Sequence, residues 1–275
     1  MKLKAHGKTD KGLVREENED VFCIERDQGL LAVADGMGGY ASGEVASKMA
    51  IDIVRDYLKN EENPLLDEYS PKYSKPTNRM TSGIRLANKA IYDTSKSQSQ
   101  LNGMGTTIAA VLVSGNRLSI AHVGDSRVYL LRGGNIEQIT DDHTVVSEQV
   151  EKGLMTKEEA AQSDIRHILT RALGIAPNVD VDMDELIVAQ GDKLVLCSDG
   201  LSELVSDDEI LSTVMSSRTL EVACDQLIGM ANEKGGGDNI TVIVASLHQE
   251  GLLHRFLRIL GFVRRENNDQ DHPEV

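Results

Sequence analysis

The chain has 275 residues and 40% hydrophobic side chains, enough to bury a core without staples as one large domain or two small ones. Its 44 acidic residues against 29 basic ones leave a net charge of −15, which repels a phosphate backbone and argues against nucleic-acid binding driven by counterion release. Cys23, Cys197 and Cys224 show no metal-type spacing, the N-terminal MKLKAHGKTDKG lacks an apolar signal core, and no run approaches the roughly 18 apolar residues of a membrane span. A soluble protein of the reducing cytosol is expected.

In chain order, TDKGLVREENEDVFCI first sets Arg15, Glu19 and Asp20 just before a predicted strand, DVFCIER. Taken alone, REENED reads as a solvated charged turn. The next apolar run, GLLAVAD, ends on Asp35 and enters GMGGYASGE, with four glycines within a few residues. Such a cluster marks a tight turn or a close approach of backbone. From Ser42 to Lys59, Val45, Met49, Ile53, Val54, Tyr57 and Leu58 recur at helical steps. The local unit is therefore strand, glycine turn, amphipathic helix.

Asn60 to Pro76 carries three of the five prolines and is predicted as a surface loop, followed by a helix over Thr77 to Ser97. TTIAAVLVSG, RLSIAHVGD and RVYLLRGG then read as strands. Residues 141–174 look like an insertion: TVVSEQVEKGL and TKEEAAQS are short helical patterns without a large apolar face, and RHILTRALG follows. The expectation is a mobile flap beside the main body. DKLVLCSDG is a further strand, helices are predicted over Asp207 to Ser216 and Thr219 to Glu233, and NITVIVASL closes the series. Strands clustered between groups of helices predict layered antiparallel sheets covered by helices, in the α+β class, rather than a doubly wound parallel fold.

Beyond a main domain over 1–248, GLLHRFLRILGFVRR predicts a basic amphipathic helix over 249–265. Its two readings are docking at a membrane surface or on a partner, and packing against its own domain. The polar ENNDQDHPEV, residues 266–275, reads as a disordered tail.

The chemistry lies in a recurrence. LLAVADG, LSIAHVGD and LVLCSDG each run an apolar strand into an aspartate, and GGGDNITVIV mirrors them with Asp238 at a strand entrance. Carboxylates gathered at one rim repel one another, so they hold either protons or metal. Oxygen-only ligands favour Mg²⁺ or Mn²⁺ over zinc. Glycine after Asp35 would let a backbone carbonyl approach the same cation. Arg15 adds a planar guanidinium suited to bidentate phosphate binding.

The ordered set TDKGLVREENED, VADGMGG, GMGTT, HVGDSR, LTRALG, LCSDGL and GGGDNITV closely resembles the metal-dependent, type 2C serine/threonine protein phosphatases, above all their compact bacterial branch. The resemblance covers about Gly7 to Leu247. It implies a four-layer αββα sandwich of two antiparallel sheets flanked by helix pairs, with a binuclear Mn²⁺ or Mg²⁺ centre at one end. By motif match, Asp35 resembles the bridging metal ligand, Gly36 the residue whose carbonyl binds the second metal, and Asp199 and Asp238 ligands of the first. Glu19 and Asp20 fall on the acidic pair that approaches the metals partly through water. Arg15 falls on the arginine that clasps the substrate phosphate, and Asn239 on a supporting position. Asp125, with Asp199, matches a third, weaker site.

The implied reaction is hydrolysis of phosphoserine and phosphothreonine in proteins by a metal-activated water, opposing bacterial Ser/Thr kinases or acting on phosphorylated regulators, by a monomer. One position departs from some relatives: Met37 stands where they carry a proton-donating histidine. The general acid is thus open between metal-bound water, Tyr40 and His143, while His122 reads as a core histidine. Two other functions compete: a phosphatase-like scaffold that has lost catalysis, and a phosphatase of small metabolites.

Overall fold

The structure is a computed structural model that describes residues 1–38, 42–60, 63 and 69–248. Eleven strands appear among these residues: β1 (Lys2–Asp10), β2 (Asp20–Glu25), β3 (Leu30–Met37), β4 (Gly105–Thr106), β5 (Ile108–Ser114), β6 (Arg117–Val123), β7 (Arg127–Arg132), β8 (Asn135–Gln138), β9 (Asp182–Ile187), β10 (Lys193–Cys197) and β11 (Ile240–His248). They form two antiparallel sheets, ordered β1-β11-β10-β7-β8 and β2-β3-β5-β6-β9, with β4 pairing β3. The long helices are α1 (Ser42–Lys59), α2 (Lys75–Ser97), α6 (Asp207–Ser216) and α7 (Leu220–Glu233). The short ones are α3 (Val145–Glu151), α4 (Lys157–Ala161) and α5 (Asp199–Ser202).

The central strands are apolar on both faces because each sheet is covered twice. In β11, Ile243, Ala245 and Leu247 face the other sheet, while Ile240, Val242 and Val244 join the cluster under α6 and α7. In β3, Leu31 and Val33 point between the sheets, and Leu30, Ala32 and Ala34 meet α1 and α2. Three apolar layers result, and the order helix, sheet, sheet, helix is the α+β sandwich expected.

All four long helices fall where hydrophobic periodicity places them. α7 begins at Leu220, one residue late, with Thr219 as its N-cap, and α2 begins at Lys75, two residues early, taking Pro76 into its first turn, a position where a missing N–H costs nothing. Strands β1, β8 and β9 have no counterpart among the predicted runs. Residues 141–174 carry α3 and α4, and α4 buries no side chain. RHILTRALG is not helical; it returns along the body through bridges of Leu169 with Thr144 and Leu173 with Thr106. The predicted 249–265 helix, the 266–275 tail and Tyr40 lie outside the described residues. Among those described, no helix is long and apolar enough to cross a membrane.

Candidate active site

Strand ends deliver the predicted acids to one end of the sandwich. Glu19 leads into β2, whose Asp20 lies opposite Asp35 of β3. Asp125 occupies the turn from β6 to β7, Asp199 opens α5 directly after β10, and Asp238 precedes β11. Each sheet therefore contributes carboxylates. Arg15, Glu19, Asp35, Gly36, Asp125, Asp199, Asp238 and Asn239 all line one cleft of about 690 Å³. Asp20 lies behind it, 5% exposed.

Backbone hydrogen bonds fix these positions. Asp35 N–H donates to Thr107 Oγ1 at 3.0 Å, and its carbonyl accepts from Thr107 N–H and Thr106 Oγ1. The motif GMGTT thus holds the aspartate in place. A Cβ added to Gly36 would lie 2.2 Å from the Gly43 carbonyl oxygen and 2.6 Å from that of Glu19. The glycine is required because β3, the start of α1 and the lead into β2 meet there. Glu19 is held by Gly43 N–H on its carboxylate and by Ser47 Oγ on its carbonyl.

Asn239 clamps the loop between β1 and β2. Its Oδ1 accepts from Glu19 N–H, and its Nδ2 donates to the carbonyls of Lys11 and Glu17. Gly12, at φ +76°, permits the same docking, since a Cβ there would lie 2.2 Å from the Asp238 carbonyl oxygen. Arg15 leaves this loop at the cleft mouth and donates from Nη2 to Asp238 Oδ2 at 2.7 Å.

Burial and mutual repulsion raise the pKa values of Asp20, Asp35, Asp125 and Asp199. Burial pushes Asp20 up to about 7, with Asp199 and Asp238 adding to it against hydrogen bonds from Ser198 and Thr241. Burial and Asp199 push Asp125 up to about 8, and burial and Asp238 push Asp199 up to about 6. Asp35 is also raised well above the ordinary carboxylate value, by burial and then by Asp20, Asp199 and Asp125. Asp20 Oδ1 and Asp199 Oδ1 are buried without a hydrogen-bond partner. Such orphaned oxygens are costly, and the all-oxygen donor set suits a hard divalent cation. The residues fit a metal centre.

Several supporting groups escaped the sequence reading. Ser198 Oγ donates to Asp20 Oδ2 at 2.7 Å while accepting from Thr241 N–H. Thr107 Oγ1 contacts Ser126 Oγ at 2.7 Å. His167, carried by the segment after α4, lines the cleft. Only its motif, RHILTRALG, was visible in sequence.

His143 and His122 lie elsewhere. His143 is 2% exposed; its Nδ1 accepts from Gly124 N–H and its Nε2 pairs with Asp182 at 3.2 Å. His122 is buried, with Nε2 bonded to the Asp141 carbonyl. Their rings stack 4.6 Å apart. With Asp182 they are close enough to suggest a metal trio. However, the Gly124 bond occupies the Nδ1 lone pair of His143, which makes Nε2 a donor and leaves no lone pair for a cation.

Comparison with known proteins agrees with this geometry. The family model described as Protein phosphatase 2C matches residues 9–233. The chain is 39% identical over 254 residues to a Listeria monocytogenes protein named serine/threonine phosphatase stp, covering 90% of this chain and 98% of that one. It is 41% identical over 246 residues to Mycobacterium tuberculosis serine/threonine protein phosphatase PstP, covering 89% of this chain but 45% of that longer protein. A crystal structure of the M. tuberculosis phosphatase superposes with a TM-score of 0.80 at 39% identity, covering 90% of this chain and 99% of that one. The PstP catalytic domain in complex with two manganese ions gives 0.78 at 38% identity, covering 90% and 99%. The chain belongs to the protein phosphatase 2C family.

Proposed function

We propose that this chain hydrolyses phosphoserine and phosphothreonine in proteins as a metal-dependent phosphatase. The observation that carries the reading is the convergence of Asp20, Asp35, Asp125, Asp199 and Asp238 from both sheets, two of them with orphaned oxygens, around a cleft whose mouth carries Arg15.

In this reading Asp35, Asp199, Asp238 and the Gly36 carbonyl hold two divalent ions, Mn²⁺ or Mg²⁺, with Glu19 and Asp20 acting partly through water. Asp125 and Asp199 hold a third, weaker one. When bound, the ions lower the pKa of water and offset charge on the phosphoryl oxygens. Arg15 presents a planar fork to the equatorial oxygens, stabilising charge that develops in phosphoryl transfer. Its pairing with Asp238 keeps that fork at the mouth before substrate arrives. Asn239 and Thr107 hold the loops rigid, so the acids need no rearrangement to act. The three cysteines are buried and none lines the cleft, so no thiol nucleophile serves it.

Residues 1–248 form the catalytic domain in this view, with residues 141–174 as its flap. The substrates are phosphoproteins, those of a Ser/Thr kinase first among them, met in the cytoplasm by a monomer. Residues 249–265 are the segment for docking at a membrane surface or on a partner. A small-metabolite phosphatase would use the same centre. A scaffold without catalysis is disfavoured, since every predicted metal carboxylate is present.

The test is release of phosphate from a phosphothreonine peptide and from p-nitrophenyl phosphate by the purified protein. EDTA should stop both reactions and Mn²⁺ restore them. Asp35→Ala or Asp238→Ala should cost several orders of magnitude in rate, and a variant near the wild-type rate would refute the site.

A further inference from the structure

A serine or threonine oxygen leaves phosphorus as a strongly basic alkoxide, so its departure calls for a proton delivered in the transition state. Apart from the aspartates that the reading above gives to the metal ions, the cleft offers few sources. Met37 lines it with a thioether that carries no proton. Thr107 Oγ1 is engaged with Asp35 N–H and Ser126. Arg15 does not deprotonate in proteins. His143 and His122 are buried away from the cleft, with their ring nitrogens bonded as described. His167 is exposed and lines the wall formed by the flap, and it is the only imidazole among the described residues to do so.

The segment that carries His167 is tied down on both sides. Arg166 pairs with Glu203, just past α5, at 3.5 Å. Ile168 accepts from Val145 N–H at the start of α3, and Leu169 bridges to Thr144. These ties hold the segment at the cleft wall, on the side where Arg166 reaches Glu203. The same cleft is lined by Arg15, Glu16 and Glu17 from the loop before β2, Glu203 beyond α5, and the carboxylates of Asp125 and Asp199.

Resting on the phosphatase reading above, we propose that His167 is the general acid that protonates the departing serine or threonine oxygen. Water bonds to phosphorus and gives up a proton to solvent, while the bond from phosphorus to the side-chain oxygen breaks. The electron pair stays on that oxygen, which takes the proton from the His167 imidazolium. The neutral ring then regains from solvent the proton that the water released. Imidazole is the side chain most often used for such proton transfer.

The experiment compares two leaving groups in the Mn²⁺-loaded full chain. p-Nitrophenolate is stable enough to leave unprotonated, whereas a threonine alkoxide is not. In His167→Gln and His167→Ala, kcat on a phosphothreonine peptide should fall about 10²- to 10⁴-fold with KM little changed. The kcat on p-nitrophenyl phosphate should stay within a few-fold of wild type. The alkaline limb of the peptide kcat–pH profile should also disappear. Equal loss on both substrates, a rise in KM with kcat retained, or no loss on the peptide would each overturn the assignment. A wild-type chain that hydrolyses neither substrate with Mn²⁺ would instead overturn the phosphatase reading itself.

Discussion

Ser198 shows how a residue without chemistry of its own governs the site. Its hydroxyl donates to Asp20 Oδ2 and accepts from Thr241 N–H, so it joins a β2 carboxylate to β11. Removing it leaves Asp20 Oδ2 with the Thr241 hydroxyl alone, while Oδ1 already has no partner. Ser198→Ala should therefore weaken Mn²⁺ binding by about 10- to 100-fold, the usual cost of losing an outer hydrogen bond at a metal site. Isothermal titration with Mn²⁺ measures this directly; unchanged affinity would show that the bond only fixes backbone. Asp35, Asp199 and Asp238 were legible in sequence because each stands at the edge of an apolar run beside glycine. Ser198, Thr107, Gly43 and His167 were not, because each acts on a group far away in the chain and has no periodicity to mark it.

At the scale of elements, what could be read was whatever buried a continuous apolar surface. β3 and β11 are apolar on both faces, and the four long helices carry full stripes. β1 was missed because KLKAHGKTD buries only Leu3 and Ala5 and fills its other positions with polar or charged groups, as an edge strand does. DMDELI of β9 hides its role too, because one of its carboxylates is structural. Glu185 accepts from Ser74 N–H at the cap of α2 and from Thr77 Oγ1, and it pairs with Arg117. Burial raises its pKa, but these hydrogen bonds outweigh burial and hold it at about 2. A depressed carboxylate stabilises the fold above its unfolded value of about 4.3, and that contribution is lost as pH falls through about 2. Glu185→Gln should thus cost about 1–2 kcal/mol at pH 7. The deficit in melting temperature should narrow steadily below pH 4. A pH-independent deficit would assign the effect to packing.

Across the whole molecule, the site is a seam between two sheets. Asp20 and Asp35 belong to the sheet that α1 and α2 cover, whereas Asp199 and Asp238 flank strands of the other. A cation shared by these groups ties one sheet to the other, so metal removal should loosen the sandwich as well as stop catalysis. The sign of the pH effect follows from the raised pKa values of about 6 for Asp199, 7 for Asp20 and 8 for Asp125. A carboxyl group whose folded pKa lies above its unfolded value binds more protons when folded. The metal-free protein therefore loses stability as pH rises from about 4 through this range. Metal must displace those protons, so it binds weakly at pH 5.5 and offsets the full repulsion at pH 8. With Mn²⁺ at 100 times its dissociation constant at pH 8, the stabilisation is about 2.7 kcal/mol, a rise in melting temperature of about 5–10 °C for a chain of this size. The same Mn²⁺ concentration at pH 5.5 should give a much smaller rise. Thermal melts at the two pH values, with EDTA and with Mn²⁺, measure the difference; an equal rise at both would mean that the ion binds away from the coupled aspartates.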